Sequence, residues 1–178
     1  YGRSAKGLPV VNLLNLDKEE HVKSMINIDR HQFEENDNYY LVFATKEGLI
    51  KRVHINEFRR IRQSGKIAIG LRDDDELIQV KLTEGNDEIL IAASNGKLVS
   101  FKEENVRPMG RNASGVKWIN VDGSEVIGMT TNHEGEFILV VTEHGYGKMS
   151  PLEEYRLSNR GGKGVKTINT TARNGKIV

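Results

Sequence analysis

The sequence contains no cysteine and no long apolar run, and each of these absences excludes a class of protein. Without cysteine there is no disulfide scaffold, cysteine zinc site or thiol nucleophile, and a reducing compartment, the cytoplasm, is the expected location. No apolar stretch approaches the roughly 18 residues of a membrane span, and residues 1–20 lack a signal-like stretch. Because 26 Lys and Arg face 25 Asp and Glu, binding to an anionic partner requires local clustering of charge.

The 18 glycines, against 3 prolines, form two recurring sets. The first set lies in basic loops at steps of 58, 50 and 49 residues: Gly7, Gly65, Gly115 and Gly164. The second lies in predicted hairpin turns at steps of 48 and 49 residues: Gly48, Gly96 and Gly145. The two sets agree on a repeat of about fifty residues.

Apolar alternation predicts four strands in each repeat. In the second repeat these are residues 66–71, 77–82, 88–93 and 97–101, with a type I′ turn at Asn95-Gly96 between the last two. In the third they are residues 115–121, 125–130, 137–142 and 146–149. Polar segments 55–60, 102–107 and 152–156 predict a short turn or helical turn after each last strand.

These patterns predict an all-β, propeller-like array of four-stranded antiparallel blades. The repeats cover residues 1–58, 59–107 and 108–157, and residues 158–178 start a fourth, so the ring is incomplete and the chain resembles a piece of a larger array. The polar residues 29–38 account for the longer first step and predict a mobile loop insertion. An ordinary β-sandwich with accidental glycine spacing is the competing fold.

Several long runs resemble the C-terminal domain of bacterial DNA gyrase A. They are RSAKGLPVVN (3–12), LVFATKEG (41–48), RDDDEL (72–77), VVTEHGYGK (140–148) and YRLSNRGGKG (155–164), and the resemblance covers essentially the whole chain. The topoisomerase IV counterpart shares the repeat, although these segments are more similar to gyrase.

The resemblance implies a β-pinwheel, in which neighbouring blades of a six-bladed array exchange strands and the outer rim wraps duplex DNA. In the parent heterotetramer, wrapping enables ATP-dependent negative supercoiling together with the rest of gyrase A and with gyrase B. The resemblance places the cleavage tyrosine, the metal site and the ATPase, with their ATP and Mg²⁺, outside this chain. Residues 159–164 match only the second half of the family's Gln-Arg-Arg-Gly-Gly-Lys-Gly box, so its essential role is not transferred to them.

Basic residues near the repeated glycines predict a charged stripe for phosphate binding, because equivalent loops lie on one edge of an array. For any single basic residue, a solvated surface position is the simpler alternative. The acidic runs at 73–76 and 34–37 must lie away from DNA. The predicted phosphate-binding residues are Arg3, Lys6, Lys51, Arg52, Arg59, Arg60, Arg62, Lys66, Arg111, Lys117, Arg160, Lys163 and Lys166.

No catalytic motif is complete, so we expect the chain to have no catalytic residue, metal or cofactor of its own. The five histidines lack metal-ligand spacing, and residues 73–76 are interpreted as a solvated turn rather than a cation site. Residues 161–164 lack the Walker pattern, and Gly145-Tyr146-Gly147 lacks a third glycine. The alternative to non-specific wrapping of duplex DNA is a protein-interaction scaffold, whose partner surface would be apolar and aromatic.

Overall fold

The computed structural model describes residues 3–9, 12–34, 38–60 and 65–178, in which β-strands dominate. One short helix, α1 (Arg30–Glu34), precedes the strands. Within the described residues no helix is long and apolar enough to cross a bilayer. The strands are β1 (Tyr40–Thr45), β2 (Leu49–His54), β3 (Leu77–Thr83), β4 (Glu88–Ala93), β5 (Lys97–Lys102), β6 (Val116–Lys117), β7 (Val126–Thr131), β8 (Phe137–Val141), β9 (Gly147–Pro151) and β10 (Val165–Lys166).

Three hairpins, β1/β2, β4/β5 and β8/β9, begin at residues 40, 88 and 137 and confirm the predicted spacing. Each is followed by a 3-10 turn, at Ile55–Phe58, Glu103–Asn105 and Leu152–Glu154, as the sequence predicts.

The hairpin turns are not of type I′. The amide of Gly96 donates to Ala93 O (3.1 Å), so Ser94 and Asn95 occupy the centre of the turn. Among the described residues only Asp74 and Asp122 are non-glycine residues with positive φ, which excludes a left-handed Asn95. Gly96 itself has φ +88°, as expected for a three-residue loop that ends in a left-handed glycine.

The sheets combine strands from neighbouring repeats. In the first sheet the order is β3-β1-β2-β6, so a single hairpin is flanked by two strands that come later in the chain. The second sheet, β10-β5-β4-β7, has the same arrangement 48 or 49 residues further on, and the third consists of β8 and β9. This arrangement confirms the strand exchange that the family resemblance implies.

The core lies in layers between sheets. Val42 and Ile50 of the first sheet share a buried cluster with Ile91 and Phe101 of the second, and Trp118 stacks at 4.5 Å from the Phe101 ring. A smaller cluster joins the second sheet to the third through Leu90, Leu98, Ile138 and Tyr155. Strands β4 and β5 are therefore covered on both faces, and their burial is nearly continuous instead of alternating.

Three predicted segments differ from the structure. Residues 66–71 form no strand, and Ile67 is exposed, because the described residues of 3–28 contain no hairpin against which this segment could pair. In the segment 115–121 only Val116–Lys117 pairs, since the chain turns away after Trp118 N–H bonds to Gly48 O (2.9 Å). The insertion 29–38 includes one helical turn, α1, while its residues 35–37 lie outside the described part.

The third hairpin presents an uncovered apolar face. Leu139 is 65% exposed and Met149, directly opposite on β9, is 66% exposed. The residue equivalent to Leu139 in the second hairpin is Leu90, which is buried against the third sheet. The same strand face is therefore core in one repeat and surface in the next.

Candidate nucleic-acid interface

Each complete sheet has an outer edge formed by a segment of the following repeat. Along β2 this segment begins with a bridge between Arg52 and Pro108 and ends where Lys117 pairs with Leu49. Along β5 the corresponding points are a bridge between Ser100 and Leu157 and the pairing of β10. We call residues 107–118 and 156–167 the outer-edge segments.

The opposite, inner edges carry β3 and β7 and converge on each other. The side chain of Gln79 on β3 accepts from the backbone of Met129 on β7 (2.8 Å), and Lys81 pairs with Glu134 (2.8 Å). Because the inner strands meet while β6 and β10 lie at the far edges, the outer-edge segments form the rim of the array.

The outer-edge strands carry Lys117 and Lys166, 49 residues apart, and both side chains are exposed. Nothing acidic lies within ion-pairing distance of either lysine in the part of the chain that the structure describes. Both positions belong to the predicted phosphate-binding set. Unpaired charge at a surface edge is available to an anionic ligand without breaking an internal contact.

The recurring arginines of the same segments reach back to the preceding repeat. Arg111 Nη1 donates to Ile67 O (2.9 Å), and Arg160 Nε donates to Lys117 O (3.1 Å). Arg111 also lies 3.8 Å from a carboxylate oxygen of Glu57. Both arginines are on the rim, as predicted, but each is already engaged with the protein.

The other predicted residues lie in several surroundings. Lys66 is half-buried and its Nζ donates to Glu57 O (3.2 Å), whereas Arg62 lies outside the described residues. The remaining members are exposed but not all on the two outer-edge segments: Arg3, Lys6, Arg59, Arg60 and Lys163.

Two exposed basic residues at the start of the outer-edge segments were missed by the sequence reasoning. Arg107 and Arg156 follow the 3-10 turns of the second and third hairpins, and their equivalent in the first repeat is Arg59. The signal that could have found them was the same spacing of 48 and 49 residues. With them, each outer-edge segment carries basic residues at both ends.

The prediction of a phosphate contact is wrong for Lys51. Its side chain is fully buried, and Nζ donates to Ala68 O (2.7 Å) and to Arg111 O. Burial, together with the nearby Arg111 charge, lowers the pKa of Lys51 to about 8. Lys51 therefore bonds two neighbouring backbone segments instead of facing solvent.

The same correction applies to Arg52, which is 6% exposed and ion-paired with the buried Glu103 (3.5 Å). Glu103 also accepts from Gly85 N (2.7 Å) and from Thr83 Oγ1 (2.7 Å). The Arg52 guanidinium stacks on the Tyr40 ring at 4.3 Å. A charge held in this way by a buried carboxylate belongs to the packing between the first two sheets.

The acidic run 73–76 precedes the inner strand β3, and three residues before it Gly70 donates to Ala113 O (3.2 Å) of an outer-edge segment, so the expectation that this run lies away from DNA stays a prediction. Asp75 accepts from Glu47 N (3.0 Å), and a hydrogen bond from Lys23 lowers the pKa of Glu76. Near the turn of the second hairpin, a hydrogen bond from Lys97 lowers the pKa of Asp122. The second acidic run, 34–37, has no described side chains.

The chemistry of the rim suits phosphate binding, because its exposed lysines and arginines supply positive charge. Within the described ranges, no three acidic or histidine side chains lie close enough together to hold a metal ion.

A glycine lets the outer-edge segment lie close to β2. Gly115 has φ +98°, and a Cβ there would lie 2.6 Å from Ile50 O, so only glycine fits at this position.

Comparison with known proteins identifies the fold and the family. The DNA gyrase C-terminal domain, a beta-propeller family, matches residues 1–29, 39–84, 87–132 and 136–178. DNA gyrase A of Staphylococcus aureus strains MRSA252 and N315 is 49% identical over 179 residues, which cover 99% of this chain and 20% of the relative. The chain thus spans about a fifth of the length of these curated relatives.

Two solved structures share the fold. The C-terminal domain of DNA topoisomerase IV superposes with a TM-score of 0.85 at 28% identity, covering 96% of this chain and 53% of that one. The DNA gyrase A C-terminal domain superposes with a TM-score of 0.83 at 23% identity, covering 98% and 57%. The strand exchange, the repeat spacing and the matched sequence agree: this chain belongs to the family of DNA gyrase A C-terminal domains.

Proposed function

We propose that the chain binds duplex DNA without reading its sequence, along the outer-edge segments, as the C-terminal part of a DNA gyrase A. The supporting observation is that exposed basic residues recur 49 residues apart on these segments, as Arg107 with Arg156 and Lys117 with Lys166. Such residues contact phosphates and carry no sequence information. A duplex that follows the rim from sheet to sheet has to bend, so its deformability contributes to the binding energy.

In the whole protein, this binding would present a DNA segment for strand passage, and ATP hydrolysis would then introduce negative supercoils. Gyrase B, the bound ATP and Mg²⁺, and the cleavage tyrosine would belong to parts of the enzyme outside this chain. The chain itself would act without catalytic residues or a cofactor, in the cytoplasm.

The test is the affinity of the chain for a mixed-sequence duplex of about 40 base pairs, titrated between about 50 and 200 mM salt. We expect affinity to fall at least roughly a hundredfold over this range, because several counterions are released together. A single strand of the same length is the control and should bind more weakly, since the rim offers phosphate contacts and not stacking platforms. Absence of duplex binding at the lowest salt would contradict the proposal and favour a protein partner.

A further inference from the structure

The hydrogen bonds of Arg111 and Arg160 join equivalent positions of the repeat, through Nη1 of Arg111 and Nε of Arg160. Each arginine lies four residues before its anchor glycine, and each donates to the carbonyl two residues after the preceding anchor glycine, at Ile67 or Lys117. The same cross-repeat contact therefore occurs at two independent places. A solvated surface arginine would have no reason to repeat one specific backbone acceptor.

The acceptor at the second place is part of the rim itself. Lys117 lies on β6, which pairs with β2 on one side, while Arg160 binds its carbonyl from the other. Next to this bond Gly161 N–H donates to Trp118 O (2.9 Å). The outer-edge segment of one sheet is thus fastened to that of the next, and we call this contact the second seam.

We call the equivalent contact between residues 67–70 and 111–113 the first seam, and it contains two additional hydrogen bonds. There Lys51 Nζ bonds both segments, through Ala68 O and Arg111 O. At the second seam the residue equivalent to Lys51 is Val99, which cannot donate a hydrogen bond. Arg160 consequently carries more of the connection at its seam than Arg111 does.

We infer that Arg111 and Arg160 are positioning residues, which hold each outer-edge segment to the equivalent residues of the preceding repeat and so set the bend of the bound duplex. This inference rests on the proposed DNA binding. The contact charges are then Lys117 and Lys166, whose spacing across the second seam depends on Arg160.

Arg160→Lys separates positioning from simple charge, since it retains the positive charge of Arg160. In lysine, a methylene stands where Arg160 has Nε–H, so the bond to Lys117 O is lost. A phosphate contact, by contrast, tolerates lysine as a point charge. Lys166→Gln is the matched control, because it removes a rim charge and leaves the Arg160 bond in place.

The first readout is DNA bending, which is measured by energy transfer between dyes at the two ends of a duplex of about 40 base pairs. This duplex is far shorter than the persistence length of DNA, roughly 150 base pairs. We expect Arg160→Lys to lose roughly half or more of the bending signal with an unchanged salt slope. Lys166→Gln should lower the salt slope by about 0.9. Wild-type bending in Arg160→Lys would overturn the inference.

The second readout needs no DNA. Amide exchange at Gly161 should be roughly tenfold faster in Arg160→Lys, with a shift in the emission of Trp118, the chain's single tryptophan, and no change in Lys166→Gln. Unchanged exchange and emission would contradict the positioning role. If wild type fails to bind DNA, the proposed function fails, and this readout still decides whether Arg160 holds the seam.

Arg111→Met is the second variant, because Arg111 donates through Nη1 and a lysine ammonium would supply a donor in its place. It replaces Arg160→Lys in the test if circular dichroism shows that Arg160→Lys does not fold. Its exchange effect at Gly70, whose amide donates to Ala113 O (3.2 Å), should be measurable but smaller than the effect expected for Arg160→Lys, because Lys51 still bonds both segments. Unchanged exchange at Gly70 in folded Arg111→Met, or an effect larger than that of Arg160→Lys, would contradict the assignment of the two seams.

Discussion

Two pairs of basic residues show how differently the same chemistry is used. Lys51 and Arg52 lie on β2, buried, with backbone carbonyls and Glu103 as partners. Lys117 and Lys166 lie on the edge strands, exposed, with no acidic partner among the described residues. The difference shows that strand position within the sheet, and not local charge density, decides which basic residues are exposed at the surface.

The largest expected effect is the loss of duplex affinity when the exposed basic residues of the outer-edge segments are changed. Reversing the four recurring rim charges, with Arg107→Glu, Lys117→Glu, Arg156→Glu and Lys166→Glu, should weaken duplex binding by about a thousandfold at low salt, since each change removes an attraction and adds a repulsion. Fluorescence anisotropy measures the affinity, and the far-ultraviolet spectrum should stay unchanged. Retained affinity in a folded quadruple variant would place the DNA elsewhere.

A substitution in the buried Arg52–Glu103 pair should lower the stability of the fold and leave DNA binding nearly unchanged. Glu103→Gln keeps the shape of the side chain but leaves the Arg52 charge buried without its carboxylate, at a cost of about 3 kcal/mol in the free energy of unfolding. Chemical denaturation measures this loss. Well below the unfolding midpoint, the variant should bind duplex DNA within about twofold of wild type, and a much larger loss of binding would mean that the buried pair also shapes the rim.

The lowered pKa of Lys51 predicts that the free energy of unfolding depends on pH in the alkaline range. Its folded pKa of about 8 lies below its ordinary value of 10.5, so between these values the unfolded state binds more protons. The penalty for burying this charge is fully present below pH 8 and disappears as pH rises towards 10.5. The gain in stability is on the order of 2 kcal/mol once solvent screening is allowed for.

Other lysines also titrate in this range, so the comparison needs the Lys51→Met variant. The difference in unfolding free energy between wild type and Lys51→Met should shift in favour of wild type as pH rises from 8 to 10.5. Parallel pH profiles for the two proteins would show that Lys51 is not held as a buried cation.

The smallest effect is expected for a paired lysine at the inner edge. Lys81→Gln removes a partly exposed ion pair with Glu134, so stability should change by less than about 0.5 kcal/mol. Duplex affinity should change by less than about twofold, and the salt slope should stay constant. A drop in the slope by about 0.9, as for a rim lysine, would abolish the distinction between the two edges.

Much of the fold could be predicted from the sequence, because local signals specify it. The glycine spacing and the apolar runs identified the three hairpins and the 3-10 turns that follow them. The strand partners could not be predicted from the residues alone, since β3 has no local feature that selects β1 over β4. The family resemblance supplied the strand exchange.

The candidate site was only partly predictable for a related reason. The Lys51-Arg52 pair resembles a surface cluster when a strand is assumed to have one solvated face, but in this array both faces of β2 are covered. The recurrence that indicated Arg111 and Arg160 correctly placed them on the rim, yet their carbonyl acceptors lie in another repeat. Contacts between repeats have no signature in a single sequence.

The most direct test of the central claim is lysine protection, in which an amine-reactive reagent labels the chain with and without duplex DNA at low salt and mass spectrometry quantifies each site. We predict that Lys117, Lys163 and Lys166 become protected, whereas Lys81 on the inner strand β3 keeps its reactivity. Equal protection of both groups, or protection of the inner edge alone, would contradict DNA binding along the rim.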